Sequence, residues 1–202
     1  MEQIQESAKQ FKRMADTISY RFVTARNRQT QKYTLTFRPS DFYHAAGLQH
    51  LTDLEIPRNI DAITWVQNNH IADEYLKKSK KYNSREDEEK DIESRIRELQ
   101  YLEQYLDCNN FIRIFKPNPH NQKGKKISKI GCEYIIESQY KKPGPVVYIC
   151  IRKRDEDDTY VIVSFFKENK QKYGGENLYW MQKVKIEHGI EHVLMQHKNY
   201  KE

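Results

Sequence analysis

Two segments of this 202-residue chain carry side chains suited to proton transfer and phosphate binding. The first, residues 33–53, reads YTLTFRPSDFYHAAGLQHLTD. Pro39 ends a strand-like run and Ser40 or Asp41 offers an N-cap, so a helix is expected through about Leu51. At about 100° per residue, His44 falls about 40° from Leu48 and about 20° from Leu51, on the apolar side or its border. An imidazole in that position can be tuned towards neutrality by burial and neighbours, which suits a general acid or base. A half-buried His hydrogen-bonded to backbone satisfies the same spacing. His50 lies with Tyr43 and Ala46 on a different face, about 120° from His44, and is the weaker candidate.

The second segment, residues 146–167, reads VVYICIRKRDEDDTYVIVSFFK. Val147, Ile149 and Ile151 alternate with Tyr148, Cys150 and Arg152, as in one arm of a hairpin. With its turn at 156–158, Cys150 pairs with Ser164, and Arg152 lies diagonally near Ser164 on the same face. An Arg and a hydroxyl on a sheet face suit phosphate binding, although a surface Arg and an ordinary strand Ser give the same pattern. Tyr148 shares that face, and a Tyr ring offers a surface on which bases can stack. Lys125, Lys126 and Lys129 follow in a basic loop and suit holding a nucleic-acid backbone rather than reacting.

Several chemistries lack their motifs. The sequence holds no GxSxG, HExxH or GxGxxG, and Gly124-Lys125 lacks the upstream Gly and following Ser/Thr of a phosphate-binding loop. His188 and His192, four apart, would align on one helix face as metal ligands, but no third ligand stands at a recognisable spacing. They read as polar residues of a C-terminal helix. No metal or other cofactor is expected.

The elements that must position these residues follow from periodicity. Ile4, Ala8, Phe11, Ala15 and Ile18 predict a helix over 3–18. Residues 20–24 and 32–37 read as a hairpin about the polar RNRQTQ turn. Pro57 suits the first turn of a helix over about 58–78, followed by the charged KKSKKYNSREDEEK. Ile92, Ile96, Leu99, Leu102 and Leu106 mark a further amphipathic helix, with Glu93 and Arg97 on its polar face. After Phe111 the period changes. Runs at 111–115, 132–138, 146–153, 160–167 and 179–186 are strand-like, with turn material between them. The fold class is therefore α+β: N-terminal helices and a hairpin, a helical stretch, then an antiparallel meander in one domain.

Composition narrows the setting. No apolar run is long enough to span a bilayer, and three cysteines without a CxxC pair point to a reducing compartment, by default the cytoplasm. Between Phe111 and Arg154 stand eleven Lys/Arg against two Glu, a net of +9 within a total of +6. That imbalance suggests a polyanionic partner, RNA or DNA.

The segment FxxxxFYHAAGLQHLTD resembles phage- and mobile-element-encoded members of the barnase–EndoU–colicin–RelE-like nuclease group. In those proteins a strand ending in Phe leads into a helix with a His and then a GL pair, and a curved sheet follows. Phe37, Phe42, His44, Gly47 and Leu48 carry the match, and Ser164-Phe165-Phe166 fits the later strands. The resemblance makes 58–106 a helical insertion. It implies metal-independent RNA cleavage, in which the 2′-hydroxyl attacks the adjacent phosphorus. His44 would act as acid or base, Arg152 as phosphate clamp and Ser164 as donor to a non-bridging oxygen. The paired-His arrangement of EndoU is not evident, and no second His is expected on the strands.

Three readings stand together. One is a ribonuclease of the toxin or phage-effector kind, acting on RNA and answered by an inhibitor or antitoxin protein. The others are a non-catalytic nucleic-acid-binding module and a protein-interaction or inhibitor protein using the helices at 77–106.

Overall fold

Residues 2–83, 91–116, 130–168 and 174–201 are described by a computed structural model. The first apolar stripe does form a helix, α1 (Gln3–Thr17), which buries Ile4, Ala8, Phe11 and Met14. Asp73 accepts hydrogen bonds from the backbone N–H groups of Gln3 and Ile4 and so caps its first turn. Strands β1 (Ile18–Arg26) and β2 (Gln29–Thr36) form the expected hairpin. Its turn is tighter than the RNRQTQ segment suggests. Arg26 pairs with Gln29, and Asn27 and Arg28 both have positive φ, 49° and 65°, as a two-residue turn matched to strand twist requires.

Three expected helices are broken. Residues 39–51 give a 3-10 turn (Pro39–Asp41), a single α-helical turn α2 (Phe42–Ala45) and a second 3-10 turn (Leu48–His50). The break falls at Gly47, whose φ of 76° lies in the left-handed region. Residues 58–78 divide into α3 (Ile60–Gln67) and α4 (Asp73–Leu76), with Asn69 at φ 59° between them. The stripe over 92–106 divides into α5 (Ile92–Leu99) and α6 (Leu102–Asp107). Both pieces still turn Ile92, Ile96, Leu99, Leu102 and Leu106 into the main core.

The later strands are β3 (Asn110–Lys116), β4 (Tyr134–Ser138), β5 (Val146–Lys153), β6 (Thr159–Glu168), β7 (Gly174–Glu187) and β8 (Ile190–Gln196). The C-terminal helix expected around His188 and His192 is therefore a hairpin instead. His188 and Gly189 form its turn at φ 50° and 79°, and His192 sits on β8 opposite Lys185. A His does stand on a strand, at the end of the sheet away from β6.

All eight strands form one sheet in the order β1-β2-β6-β5-β4-β3-β7-β8. Strands β3 to β6 are the sequential meander that their short turns predict. The sheet is mixed rather than purely antiparallel, because β2 and β6 run parallel over two residue pairs, Thr34 with Thr159 and Leu35 with Tyr160. Strand β7 pairs with both β3 and β1, so the order returns on itself. The inner face holds the main core, where Tyr33, Tyr134 and Tyr160 cluster over Phe22. Helices α2 and α5 pack against β6. Phe115, Ile135, Tyr148, Cys150 and Phe166 form a smaller cluster on the opposite face. The fold class is α+β, and no described helix is long and apolar enough to cross a membrane. None of Cys108, Cys132 and Cys150 is joined in a disulfide.

Lys183 ties the sheet to the helices. Its Nζ donates to the carbonyls of Leu106 (2.6 Å) and Cys108 (2.9 Å) at the C-terminus of α6, where carbonyls lack intrahelical partners. Burial lowers its pKa from 10.5 to about 8, against the raising pull of Cys108 and Asp107. The unfolded chain thus binds more protons between these two values, so Lys183 makes stability rise with pH across that window and fall as pH drops through about 8. The contribution is on the order of 3 kcal/mol. Denaturant unfolding of wild type and Lys183→Met at several pH values should show this rise in the wild type alone. Parallel pH profiles would show that Lys183 does not carry it.

Candidate active site

The helix bearing His44 is docked to the sheet by a buried ion pair. Asp41, just before α2, and Arg154, just after β5, are each 8% exposed. Arg154 donates to both Asp41 oxygens, at 3.1 and 2.5 Å, and to the Thr36 carbonyl at 3.3 Å. The backbone N–H of Arg38 donates to the same carboxylate at 2.8 Å and closes the turn entering α2. Arg38 itself is extended, as a residue preceding proline must be.

His44 lies on α2 and is exposed. Its ring meets Tyr43 edge-on at 5.3 Å. The expected apolar-side placement presumed a helix continuous to Leu51. With α2 ending at Ala45, the buried Leu48 and Leu51 belong to a separate turn and no longer define the His44 face. Partial desolvation holds the imidazole pKa below 6.5; the Asp41 charge pulls it up and the Arg152 charge pushes it down. His44 is therefore mainly neutral at pH 7, the state a general base needs.

Arg152 and Ser164 share one face of the β5–β6 hairpin. Cys150 pairs with Ser164 as the alternation implied, and a bulge after Cys150 sets Arg152 opposite Val161. Arg152 is exposed, with Asp155 at 3.9 Å. Ser164 is only 6% exposed. Its Oγ accepts from Nη1 of Arg95 at 3.4 Å. Thus His44 and Arg152 are both exposed and near enough for the Arg152 charge to act on the imidazole, while Ser164 is buried against Arg95.

Arg95 was not among the expected site residues. It is 1% exposed, with its guanidinium 5.8 Å from the Phe166 ring centre. The sequence does hold a signal. Ile92, Arg95, Ile96 and Leu99 follow the i, i+3, i+4, i+7 spacing, so Arg95 interrupts an apolar stripe. A cation in that position must find a buried role. Its stem also explains Gly47, where an added Cβ would stand 2.8 Å from Arg95 Cδ and 2.9 Å from Ile92 Cδ1.

The remaining candidates fare differently. Tyr148 is 2% exposed with its ring against Phe166 at 5.7 Å, so it presents no open face to a base. Lys125, Lys126 and Lys129 lie outside the described residues. Much of the described positive charge has acidic neighbours: Arg113 with Glu137, Lys116 with Glu176, Lys153 with Asp158, and Arg38 with Glu156 and Asp157. Among the described cations of residues 111–154, Arg113, Lys116, Arg152, Lys153 and Arg154 therefore each have an acidic neighbour.

Asp41→Ala leaves Arg154 buried without its carboxylate and should cost about 3–5 kcal/mol in urea unfolding. Adding Arg154→Leu should recover much of that loss, and a strictly additive double variant would refute the pairing energetics. Gly47→Ala forces a non-glycine residue into the left-handed region and against Arg95. It should cost about 1–3 kcal/mol by the same measurement.

A neutral exposed imidazole within the field of an exposed Arg can move a proton and stabilise an anionic oxygen. No curated protein and no solved structure gives a significant match to this chain. Residues 3–202 match the family model described as phage-Barnase-EndoU-ColicinE5/D-RelE like nuclease 4 (PBECR4), and the chain belongs to that nuclease-like family.

Proposed function

We propose that the protein is a metal-independent endoribonuclease in which His44 is the general base and Arg152 the phosphate clamp. The observation that supports this reading is the exposed His44, its pKa lowered by desolvation and by the charge of Arg152, in a chain of nuclease-like family. Neutral His44 takes the proton of the RNA 2′-hydroxyl, and that oxygen attacks the adjacent phosphorus. The bond to the 5′-oxygen breaks, the leaving oxygen takes a proton from water, and the products are a 2′,3′-cyclic phosphate and a 5′-hydroxyl. Arg152 stabilises the charge gathering on the non-bridging oxygens. Ser164, buried beneath Arg95, serves as a positioning residue rather than meeting the phosphate itself.

His44→Ala should lower kcat/KM for a single-stranded RNA by about 10²–10⁴-fold. Arg152→Ala should lower kcat by about 10–10³-fold. Ser164→Ala should lose less than about tenfold if its role is positional; a loss as large as that of Arg152→Ala would restore it as a direct donor. Because the working base is neutral, log kcat/KM should climb with pH and level off before about pH 7. Activity should persist in chelator and leave cyclic phosphate ends. Full activity of His44→Ala, or RNA binding with no turnover, would sink the mechanism.

A further inference from the structure

Seven strands, in the order β1-β2-β6-β5-β4-β3-β7, close into a ring because β7 returns to pair with β1. The inward positions of a small closed sheet are ordinarily filled by apolar side chains. Here that filling stops partway. Alternation turns Phe22, Thr24 and Arg26 of β1 inward, with Tyr33, Gln31 and Gln29 opposite them on β2. Ile112, Ile114 and Lys116 of β3 face the same way, next to Leu178 and Glu176 of β7. Towards the β1–β2 turn the inner face thus passes from buried and apolar to polar and charged.

The change opens a cavity of about 320 Å³. Thr24, Gln29 and Gln31 line one side of it, Ile114 and Leu178 the other, and no described helix contributes. Small-ligand sites span roughly 300–1,000 Å³ and recur in the mouths of barrels, so the volume suits a small molecule. The Tyr33 hydroxyl donates to Thr24 Oγ1 at 3.4 Å and the Tyr134 hydroxyl to Gln31 Oε1 at 3.1 Å. Both acceptors being engaged, the Thr24 O–H and the Gln31 amide N–H groups are left to donate into the cavity. Thr24 is 1% exposed, and its O–H meets no acceptor among the described residues.

The mouth adds charge. Arg26 and Lys116 both pair with the one carboxylate of Glu176, which leaves a net positive charge where the cavity opens. Arg–phosphate and Lys–phosphate contacts suit such a position. Arg152 alternates with the inward Ile151, so this cavity and the Arg152 guanidinium lie on opposite faces of the sheet. We propose that the barrel mouth binds a small phosphorylated molecule whose ring carries hydrogen-bond acceptors, the chemistry of a nucleoside monophosphate. Thr24 and Gln31 donate to the ring, Ile114 and Leu178 cover its flat face, and Arg26 and Lys116 take the phosphate. The site does not depend on RNA being the substrate.

Isothermal titration with the four ribonucleoside 5′-monophosphates tests this, with the parent nucleosides and inorganic phosphate as comparison probes. At least one monophosphate should fill a single site about tenfold or more tightly than its nucleoside and than inorganic phosphate. Arg26→Ala, at an exposed position, should weaken that monophosphate about tenfold and leave its nucleoside within about twofold. Leu178→Trp, which fills the cavity, should weaken both by more than about tenfold, with thermal melts showing that the variant is folded. His44→Ala and Arg152→Ala should bind as wild type does. Four outcomes overturn the proposal. These are no monophosphate binding at about 10 mM, inorganic phosphate bound as tightly as any monophosphate, affinity unchanged in Arg26→Ala, or affinity lost in Arg152→Ala instead. The last would move the ligand to the His44 side of the sheet and leave the nuclease reading standing.

Discussion

The Asp41–Arg154 ion pair is the constraint on which the site depends. Its two members are 113 positions apart, one before α2 and one at the end of β5. Removing both charges from water is expensive, and their mutual attraction with added hydrogen bonds offsets that cost only in one geometry. The pair therefore contributes position more than net stability. With Asp41 held, α2 has one seat on the sheet, and the imidazole three residues on is delivered to the Arg152 side of β5. The same carboxylate also raises the His44 pKa against the lowering effects of desolvation and Arg152, so the docking interaction tunes the group it places.

The sheet makes room for this arrangement by pairing incompletely. Strands β2 and β6 share only two residue pairs, and α2 and α5 both pack against β6. Helix α5 brings Arg95 into contact with Ser164 and Phe166 from a segment that, by sequence, was a helical insertion. The left-handed turn at Gly47 lets the chain after α2 pass close over the Arg95 stem. Cation, glycine and hydroxyl form one packed unit beneath the rim residues.

Part of the described positive charge is paired. Acidic side chains from β4, β7 and the β5–β6 turn accompany Arg38, Arg113, Lys116, Arg152 and Lys153. Exposed pairs of this kind hold side chains weakly and leave them open to exchange for a phosphate. Such a surface is suited to transient contact with a polyanion, with a modest salt dependence set by the cations it releases.

Much of the architecture was already determined by the amino-acid sequence. The amphipathic α1, the N-terminal hairpin, the β3–β6 meander and the Cys150–Ser164 register follow from periodicity and turn chemistry, which are local. The FYHAAGL segment likewise carried the family likeness and His44. Tertiary structure decided the rest. Helix breaks at Gly47 and Asn69 depend on packing that local spacing does not contain, so His44 emerged exposed instead of facing the apolar side. The second C-terminal hairpin replaced a helix because β8 pairs along β7. Tyr148 was covered and Ser164 was placed under Arg95 by side chains from other elements. Periodicity records which residues are apolar; which distant charge satisfies a buried one is settled only when the chain closes upon itself.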